Sequence, residues 1–312
     1  VQMHKLQSHR GPDDQGTYLS PHVGLSHARL SIIDLEGGHQ PMVYSSNGRE
    51  CVIVYNGELY NTKELRQDLT LHGVLFETKS DTEVILQSYL EYGADFVTRL
   101  NGIFAFALWD QNAKRLLLYR DRSGIKPLFY SLQKDQLLFA SEIKGILACP
   151  EVNARLDRQG LNEIFSMGPA RTNGCGVFQG IQEILPGHFA IYNPNGFQSF
   201  CYWKLESRPH EDSYETTVEK TTALIQDSIR RQMVSDVPIC TFLSGGIDSS
   251  LVSAVCATEL KKKGESLGTF SFDFAGNREN FKANSFQPSQ DRPYVEQMAA
   301  FLHSDHHYLE CT

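Results

Sequence analysis

Short apolar segments alternate with turn residues along the first two thirds of the chain. The segments that predict strands lie at residues 24–33, 51–54, 103–109, 116–119 and 137–140. Apolar runs of this length between polar turns are typical of paired antiparallel strands. Residues 110–114 and 121–124 carry the Asp, Asn, Ser and Gly content of turns, so they predict tight connections between neighbouring strands.

Two segments in the same region instead place apolar residues at helical spacing. Residues 62–72 and 81–91 have this pattern, and the second carries Val84, Ile85 and Leu90 on one side with charged residues opposite. Strands and helices in separate stretches of sequence favour separate layers. The pattern therefore predicts an α+β fold for the N-terminal part of the chain.

The pattern changes near Lys204. Residues 204–213 form a polar, proline-containing linker, and residues 214–233 predict a long amphipathic helix. Strand and helix patterns then alternate, at residues 238–243, 249–263, 267–274, 293–302 and 307–310. This alternation predicts the start of a doubly wound parallel sheet of α/β type. We therefore divide the chain into a domain at 1–203, a linker at 204–213 and a second domain at 214–312.

Both ends of the sequence look cut short. Only about three strands fit before Thr312, fewer than doubly wound sheets usually have. Residues 1–9 look like the last turns of a helix without a capping residue ahead of them. We expect a fragment that is truncated at both ends and is inactive by itself.

Composition and charge narrow the classes of function. The 312 residues include 29 Lys+Arg and 37 Asp+Glu, which gives a net charge of −8, and 41% are hydrophobic. An acidic chain without a long basic run argues against a general nucleic-acid binder. No apolar stretch approaches the roughly 18 residues of a membrane span. We expect neither nucleic acid nor membrane as a partner.

Seven cysteines are scattered along the chain without a Cys-x-x-Cys pair. This usage is typical of free thiols in a reducing compartment and predicts a cytoplasmic location. Cys51 and Cys240 lie within apolar strands, so we expect both to be core thiols.

The strongest local motif directly follows the apolar strand at 239–243. It reads Ser244-Gly245-Gly246-Ile247-Asp248-Ser249-Ser250 and opens the next helix. Glycines, backbone N–H groups and a helix N-terminus can surround a phosphate, while Ser244 and Ser249 add hydroxyl donors. Asp248 offers an oxygen ligand to a phosphate-bound Mg²⁺. The lysine of the Gly-x-x-x-x-Gly-Lys loop is absent, so that alternative phosphate loop is excluded.

This motif resembles the pyrophosphate loop of the N-type ATP pyrophosphatases. The resemblance implies that ATP and Mg²⁺ bind here. It further implies that Leu243 and Phe272 present backbone groups to adenine. The residues implied for ATP or pyrophosphate are Leu243, Ser244, Gly245, Gly246, Asp248, Ser249, Ser250 and Phe272.

Polar clusters also end several apolar runs of the first domain. They lie at residues 9–13, 27–32, 55–61, 80–83, 120–128 and 139–144. In this order the clusters resemble the class II glutamine amidotransferase domain, and together with the pyrophosphate loop the chain resembles the glutamine-dependent asparagine synthetases. The resemblance covers nearly the whole chain. It implies an Ntn-hydrolase-like four-layer αββα sandwich ahead of the α/β domain.

Glutamine itself explains the charged residues of these clusters. Arg29 can hold the α-carboxylate with a bidentate fork, and Glu58 and Asp81 supply negative charge for the α-ammonium. The Asn56 amide and the Gly57 N–H would form the oxyanion hole for the hydrolysed carbonyl. The backbone of Ile32 and Ile33 would border the same pocket. The turn at 120–128 is expected to be structural.

The resemblance also implies a reaction. An N-terminal cysteine would attack glutamine, and family spacing puts it about twenty residues upstream of Val1. The released ammonia would attack β-aspartyl-AMP formed from aspartate and ATP, giving asparagine, AMP and pyrophosphate.

Two alternatives stay open. A β-lactam-synthetase-like or ammonia-dependent ligase would have an inactive glutaminase domain, but it has no need for the glutamine residues found here. A non-catalytic relative would not need the intact 244–250 loop. The sequence leaves acceptor specificity open, and it leaves subunit assembly open, with a homodimer as one arrangement.

Overall fold

The computed structural model describes residues 2–46, 48–285 and 289–311. The chain forms two compact units, Val1–Arg208 and Pro209–Thr312. Each unit has its own sheets and its own core, and each is described by itself below.

Every antiparallel strand pair among the described residues lies in the first unit. Its elements are α1 (Gln2–Lys5), β1 (Asp14–Leu19), β2 (Gly24–Arg29), β3 (Met42–Ser46), β4 (Arg49–Leu59), α2 (Thr62–Leu71), α3 (Asp81–Tyr92), β5 (Gly102–Asp110), β6 (Arg115–Arg120), β7 (Phe129–Leu132), β8 (Leu137–Ala140), α4 (Ile143–Leu147), α5 (Arg158–Asn162), β9 (Gln182–Glu183), β10 (His188–Asn193) and β11 (Gly196–Cys201). Short 3₁₀ turns cover Ser8–Arg10 and Ala94–Arg99, and a π turn covers Glu163–Met167.

A six-stranded antiparallel sheet is the centre of this unit. Its strand order is β11-β10-β6-β5-β4-β3. Two smaller antiparallel sheets accompany it, β1-β2 and β8-β7-β9. The long pairing of β4 with β5 runs from Cys51–Asp110 to Leu59–Gly102 and fixes the strand that carries the candidate site.

Successive side chains of the central strands point to opposite faces and build two cores. On one face, Ile53 and Phe106 pack with residues of α2 and α3 such as Leu65 and Ile85. The opposite face packs Val52, Ala107 and Leu118 against Leu25 of β2 and Leu128 before β7.

A third core joins the small β8-β7-β9 sheet to the outer helices. Phe129 of β7 and Ala140 of β8 pack with Ile146 of α4, and Met3 of α1 adds to this cluster. The layers therefore run from α2 and α3 through the central sheet and the two small sheets to α1 and α4. This order confirms the predicted αββα sandwich, with the second β layer formed by two separate sheets.

The second unit holds α6 (Tyr214–Arg231), β12 (Cys240–Phe242), α7 (Ile247–Lys262), β13 (Gly268–Phe274), α8 (Asn277–Asn280), α9 (Arg292–Leu302) and β14 (Asp305–Cys311). Its three strands are parallel, in the order β12-β13-β14. The predicted start of a parallel α/β sheet is confirmed.

One prediction about the core thiols is wrong. Cys51 is fully buried in β4, as expected, but Cys240 is exposed at the start of β12. The reason is that Cys240 shares one face of the small sheet with Phe242 and Phe272, which are 77% and 63% exposed. An apolar strand sequence predicts a buried residue only where a second layer covers that face.

Within the ranges described above, no helix combines the length and apolar character that crossing a membrane requires.

Candidate functional site

A cavity of about 450 Å³ lies in the first unit beside β2, β4 and the start of α3. It brings together every residue that the sequence assigned to glutamine. These lining residues are Arg29, Ile32, Ile33, Asn56, Gly57, Glu58 and Asp81. They come from three separate parts of the sequence, so the fold alone gathers them.

Asn56 and Gly57 occupy adjacent positions on β4. Gly57 pairs with Phe104 of β5, where a Cβ atom would overlap the Ile103 carbonyl oxygen and lie 2.8 Å from the Phe104 Cα. Only glycine fits this close strand pairing. The Asn56 Nδ2 is buried and has no hydrogen-bond partner among the described residues. A donor held in this way is suited to an oxygen on which negative charge develops.

Asp81 is the first residue of α3, and it is 6% exposed. The side chain of Ser80 caps this helix by accepting a hydrogen bond from the Thr82 N–H. The Asp81 carboxylate accepts hydrogen bonds from the Tyr55 hydroxyl at 3.0 Å and from the Leu59 N–H at 3.2 Å. Burial raises the pKa of Asp81, while these hydrogen bonds oppose the rise.

Glu58 supplies a second carboxylate to the cavity. Burial raises its pKa, and the positive charge of Lys126 opposes this rise. Lys126 also lines the cavity. Asp121 holds the turn that carries Lys126, since its Oδ2 accepts hydrogen bonds from the N–H groups of Phe104 and Lys126. The turn is therefore held by hydrogen bonds, but the position of Lys126 at this cavity was not predicted from the sequence.

The Arg29 guanidinium is 7% exposed and is engaged by the loop that follows β2. It donates to the carbonyl oxygens of Ile33 at 2.9 Å, Asp34 at 2.7 Å and Leu35 at 3.1 Å. These bonds hold the loop, including Ile33, at the edge of the cavity. The fork from Arg29 to a substrate carboxylate stays a prediction. A carboxylate would use the other N–H donors of Arg29 or displace a loop carbonyl.

His27 lines the same cavity and was not among the residues assigned to glutamine. Its Nε2 lies 2.9 Å from the Tyr55 carbonyl oxygen. Burial lowers the pKa of His27 to about 4, so the imidazole is neutral near pH 7. The Nδ1 atom is buried and has no partner within the described part of the chain. The only feature of the sequence that pointed to His27 as a site residue was its position two residues before Arg29 on β2.

The 244–250 loop lies in the second unit, where it follows β12 and includes the first turn of α7. The Ser244 and Ser249 hydroxyl oxygens are 2.9 Å apart, and the Ser249 hydroxyl also donates to the Gly246 carbonyl at 3.2 Å. Gly245 has a φ of +76°, and a Cβ atom there would lie 2.7 Å from the Tyr294 Cβ. The loop is therefore folded tightly and requires glycine at this position.

Helix α7 begins at Ile247, within this segment, with Gly246 as its N-cap. Asp248, Ser249 and Ser250 fall in its first turn, and the Asp248 side chain is exposed. Free N–H groups at a helix N-terminus favour a bound anion.

The predicted adenine residues differ in environment, since Leu243 is 1% exposed and donates its N–H to the Phe270 carbonyl, whereas the Phe272 side chain is exposed.

Across the described ranges, no group of three or more His, Cys, Asp or Glu side chains could hold a metal ion. Asp248, as a single carboxylate, can instead bind a metal ion that phosphate groups also ligate. Mg²⁺ is commonly bound through one or two carboxylates together with substrate phosphates, so one exposed carboxylate beside the candidate phosphate loop fits a phosphate-bound Mg²⁺.

Comparisons with known proteins match both units. A family described as "Glutamine amidotransferase domain" matches residues 1–203, and a family described as "Asparagine synthase" matches residues 220–312. Asparagine synthetase [glutamine-hydrolyzing] 3 of Bacillus subtilis strain 168 is 48% identical over 96% of this chain and 49% of its own length. Asparagine synthetase [glutamine-hydrolyzing] 1 of the same strain is 37% identical over 88% of this chain and 42% of its own length.

The chain thus spans about half the length of these curated relatives. Among solved structures, the glutamine phosphoribosylpyrophosphate amidotransferase of B. subtilis aligns with a TM-score of 0.43 and 17% identity, over 80% of this chain and 60% of that chain. The match over residues 1–203 covers well over half of the sequence. The chain therefore belongs to the glutamine amidotransferase domain family, and it joins this domain to an asparagine synthase domain.

Proposed function

We propose that this protein takes part in the ATP-dependent synthesis of asparagine from aspartate, with ammonia released from glutamine. In this proposal residues 1–203 hydrolyse glutamine, and the second domain activates aspartate as β-aspartyl-AMP. Asparagine, AMP and pyrophosphate are the products. The similarity to two glutamine-hydrolysing asparagine synthetases supports this assignment of both domains.

One observation carries the glutaminase half of the proposal. The cavity places the Arg29 guanidinium, two carboxylates and a residue with an unpartnered amide donor, Asn56, around a space large enough for an amino acid. Asp81 and Glu58 would hold the α-ammonium of glutamine. Asn56 Nδ2 and the Gly57 N–H would then donate to the carboxamide oxygen as negative charge develops on it. Loss of one such donor typically lowers kcat by about 10²–10³-fold.

The attacking nucleophile is not supplied by a cysteine in the described cavity. None of the seven cysteines is among the residues that line it. Cys51 lies nearest in sequence to Asn56, but burial raises its pKa to about 11 and keeps the thiol protonated. The N-terminal cysteine that the family resemblance implies therefore stays a prediction.

The 244–250 loop supports the ligase half. Its backbone N–H groups and the start of α7 would surround the phosphates of MgATP, with Ser244 and Ser249 as further donors. The exposed Asp248 would be a protein ligand of the Mg²⁺ that accompanies ATP. When bound, this ion would neutralise charge on the departing pyrophosphate.

Paired substitutions test the two halves in the enzyme that carries this chain. Asp81→Asn should abolish glutamine-dependent synthesis while synthesis from added ammonium salts continues. Asp248→Asn should abolish pyrophosphate release from both nitrogen sources while glutamate release from glutamine continues. Asp227→Asn, at an exposed site on α6, is the matched control and should change neither reaction.

Two outcomes would contradict the proposal. Full synthesis by Asp248→Asn would remove the loop from ATP chemistry, and full glutaminase activity in Asp81→Asn would remove the cavity from glutamine binding.

A cytoplasmic location, which the seven free thiols favour, and a homodimer are further proposals. Light scattering of the purified protein tests the second of them.

A further inference from the structure

Two residues that line the glutamine cavity each carry a buried polar atom without a partner among the described residues. These atoms are the Nδ1 of His27 and the Nδ2 of Asn56. The described residues contain one further atom of this kind, the Ser20 hydroxyl oxygen, which does not line the cavity. Buried polar groups are nearly always hydrogen-bonded, so two exceptions in one cavity point to a ligand.

The hydrogen-bonding role of the His27 Nδ1 follows from its other nitrogen. The Nε2 lies 2.9 Å from the Tyr55 carbonyl oxygen, and a carbonyl oxygen can only accept. The Nε2 must therefore carry the hydrogen. A neutral imidazole has a single N–H, so the Nδ1 of His27 is a pure acceptor.

The Asn56 Nδ2 has the opposite character, because an amide nitrogen can only donate. The two side chains are also neighbours through the backbone. The carbonyl that orients His27 belongs to Tyr55, which directly precedes Asn56 on β4. The cavity thus offers one acceptor and one donor that are held by the same segment of strand.

We propose that the His27 Nδ1 accepts a hydrogen bond from the carboxamide NH₂ of glutamine while the Asn56 Nδ2 donates to its carbonyl oxygen. This inference rests on the proposed function and assigns His27 as the residue that selects the amide. A carboxamide satisfies both atoms at once. A carboxylate satisfies only Asn56, and it sets an oxygen lone pair against the bare Nδ1.

The same contact has a consequence for the product. Hydrolysis replaces the carboxamide NH₂ by an oxygen, so glutamate loses the hydrogen bond to His27 and gains a repulsion in its place. Substrate binding and product release would then both depend on the Nδ1 lone pair.

The test is calorimetric titration of the 312-residue chain with glutamine and with glutamate at pH 7. We expect glutamine to bind about tenfold more tightly than glutamate, the effect of one good hydrogen bond and one lost repulsion. His27→Gln keeps an N–H for the Tyr55 carbonyl but removes the acceptor at the Nδ1 position. It should weaken glutamine binding about five- to tenfold, and it should leave glutamate binding unchanged or tighter, because the repulsion from the Nδ1 lone pair is removed.

His22→Gln is the matched control, because His22 is exposed in the turn between β1 and β2 and does not line the cavity. It should retain the full preference for glutamine. As an independent readout, the ¹⁵N resonance of the unprotonated His27 Nδ1 should move upfield with glutamine and stay in place with glutamate.

The outcomes separate this inference from the proposed function. The role of His27 is overturned if His27→Gln binds both amino acids with the affinities of the unaltered chain, or if glutamine does not shift the Nδ1 resonance. The proposed binding of glutamine would remain supported in either case. If the unaltered chain binds neither amino acid, the proposed glutamine site fails and the inference fails with it.

Discussion

The Tyr55 hydroxyl donates a 3.0 Å hydrogen bond to the Asp81 carboxylate, and both side chains are almost fully buried. Tyr55 lies on β4 directly before Asn56 and Gly57, whereas Asp81 begins α3. The contact therefore fixes the distance between the candidate oxyanion donors and the candidate ammonium-binding carboxylate. It connects the helical layer to the central sheet beside the candidate site, so the donors and the carboxylate keep their relative positions.

Tyr55→Phe removes the donor and leaves the buried Asp81 carboxylate short of one hydrogen bond. We expect the free energy of unfolding to fall by about 1–3 kcal/mol, the usual cost of such a loss. The pKa of Asp81 should rise further, because the Tyr55 hydrogen bond is one of the contacts that lower it. Urea unfolding monitored by fluorescence measures the first effect, and ¹³C NMR of the carboxylate measures the second.

Tyr130→Phe is a suitable control for this experiment. It also removes a tyrosine hydrogen bond, to the Gln182 side chain, but in an exposed position where water can replace the partner. Its effect on unfolding should stay within about 0.5 kcal/mol. Equal losses of unfolding free energy in the two variants would show that the buried hydrogen bond stabilises the fold no more than the exposed one.

Arg29→Lys tests whether the guanidinium shape matters or only its charge. A lysine keeps the positive charge, but it cannot bond three carbonyl oxygens in the planar geometry of Arg29. We expect glutamine affinity to drop about tenfold or more. Amide hydrogen exchange in residues 33–38 should also become faster, since the loop loses its anchor.

Arg99→Lys provides the comparison, because Arg99 forms an exposed ion pair with Asp68 and lies outside the cavity. It should change neither glutamine affinity nor exchange at 33–38. If Arg29→Lys loses affinity with no change in exchange, the loop contacts do not explain the loss, and the substrate contacts the guanidinium group itself.

Gly57→Ala should disrupt β4 at the oxyanion site. The new methyl group would overlap the Ile103 carbonyl oxygen, so the paired strands would have to separate. We expect a loss of stability of about 1–3 kcal/mol together with a large loss of glutaminase activity. Gly24→Ala is the control, because its nearest neighbour is the flexible end of Leu19 at 3.3 Å. A stable and active Gly57→Ala variant would contradict the close strand pairing.

Much of the secondary structure could be predicted because its signal is local. The helix predicted at 62–72 is found at Thr62–Leu71, and the one predicted at 81–91 is found at Asp81–Tyr92. The strand predicted at 24–33 is an instructive exception, since β2 ends at Arg29. Ile32 and Ile33 are apolar enough to resemble strand residues, but the Arg29 side chain bonds the carbonyls that a strand would have used for pairing.

The candidate site could be predicted only as far as its residues resemble known motifs. His27 and Lys126 were missed because their chemistry depends on Tyr55 and Glu58, which are distant in sequence. The hydrogen bonds of Arg29 to the loop that follows β2 were missed for a related reason. A sequence can identify a buried arginine near a predicted pocket, but only the folded loop shows which acceptors already use its N–H groups.

A last prediction concerns the pH dependence of stability. Burial lowers the pKa of His27 from 6.5 to about 4, so between these values the unfolded chain binds a proton there that the folded chain does not. Stability from this group is therefore fully present above about pH 6.5 and is lost as the pH falls towards about 4. The complete loss is about 3 kcal/mol.

Comparison with His27→Gln isolates this contribution, because the glutamine side chain does not titrate. Glu142, with a pKa lowered to about 2, and Asp81, with a raised pKa, also change stability in acid, but both are present in the two proteins and cancel in the difference. Urea unfolding from pH 7 to pH 4 should show the stability difference shifting towards the variant by up to about 3 kcal/mol. A difference that stays flat would mean that His27 titrates alike in the folded and the unfolded chain, so that burial does not lower its pKa.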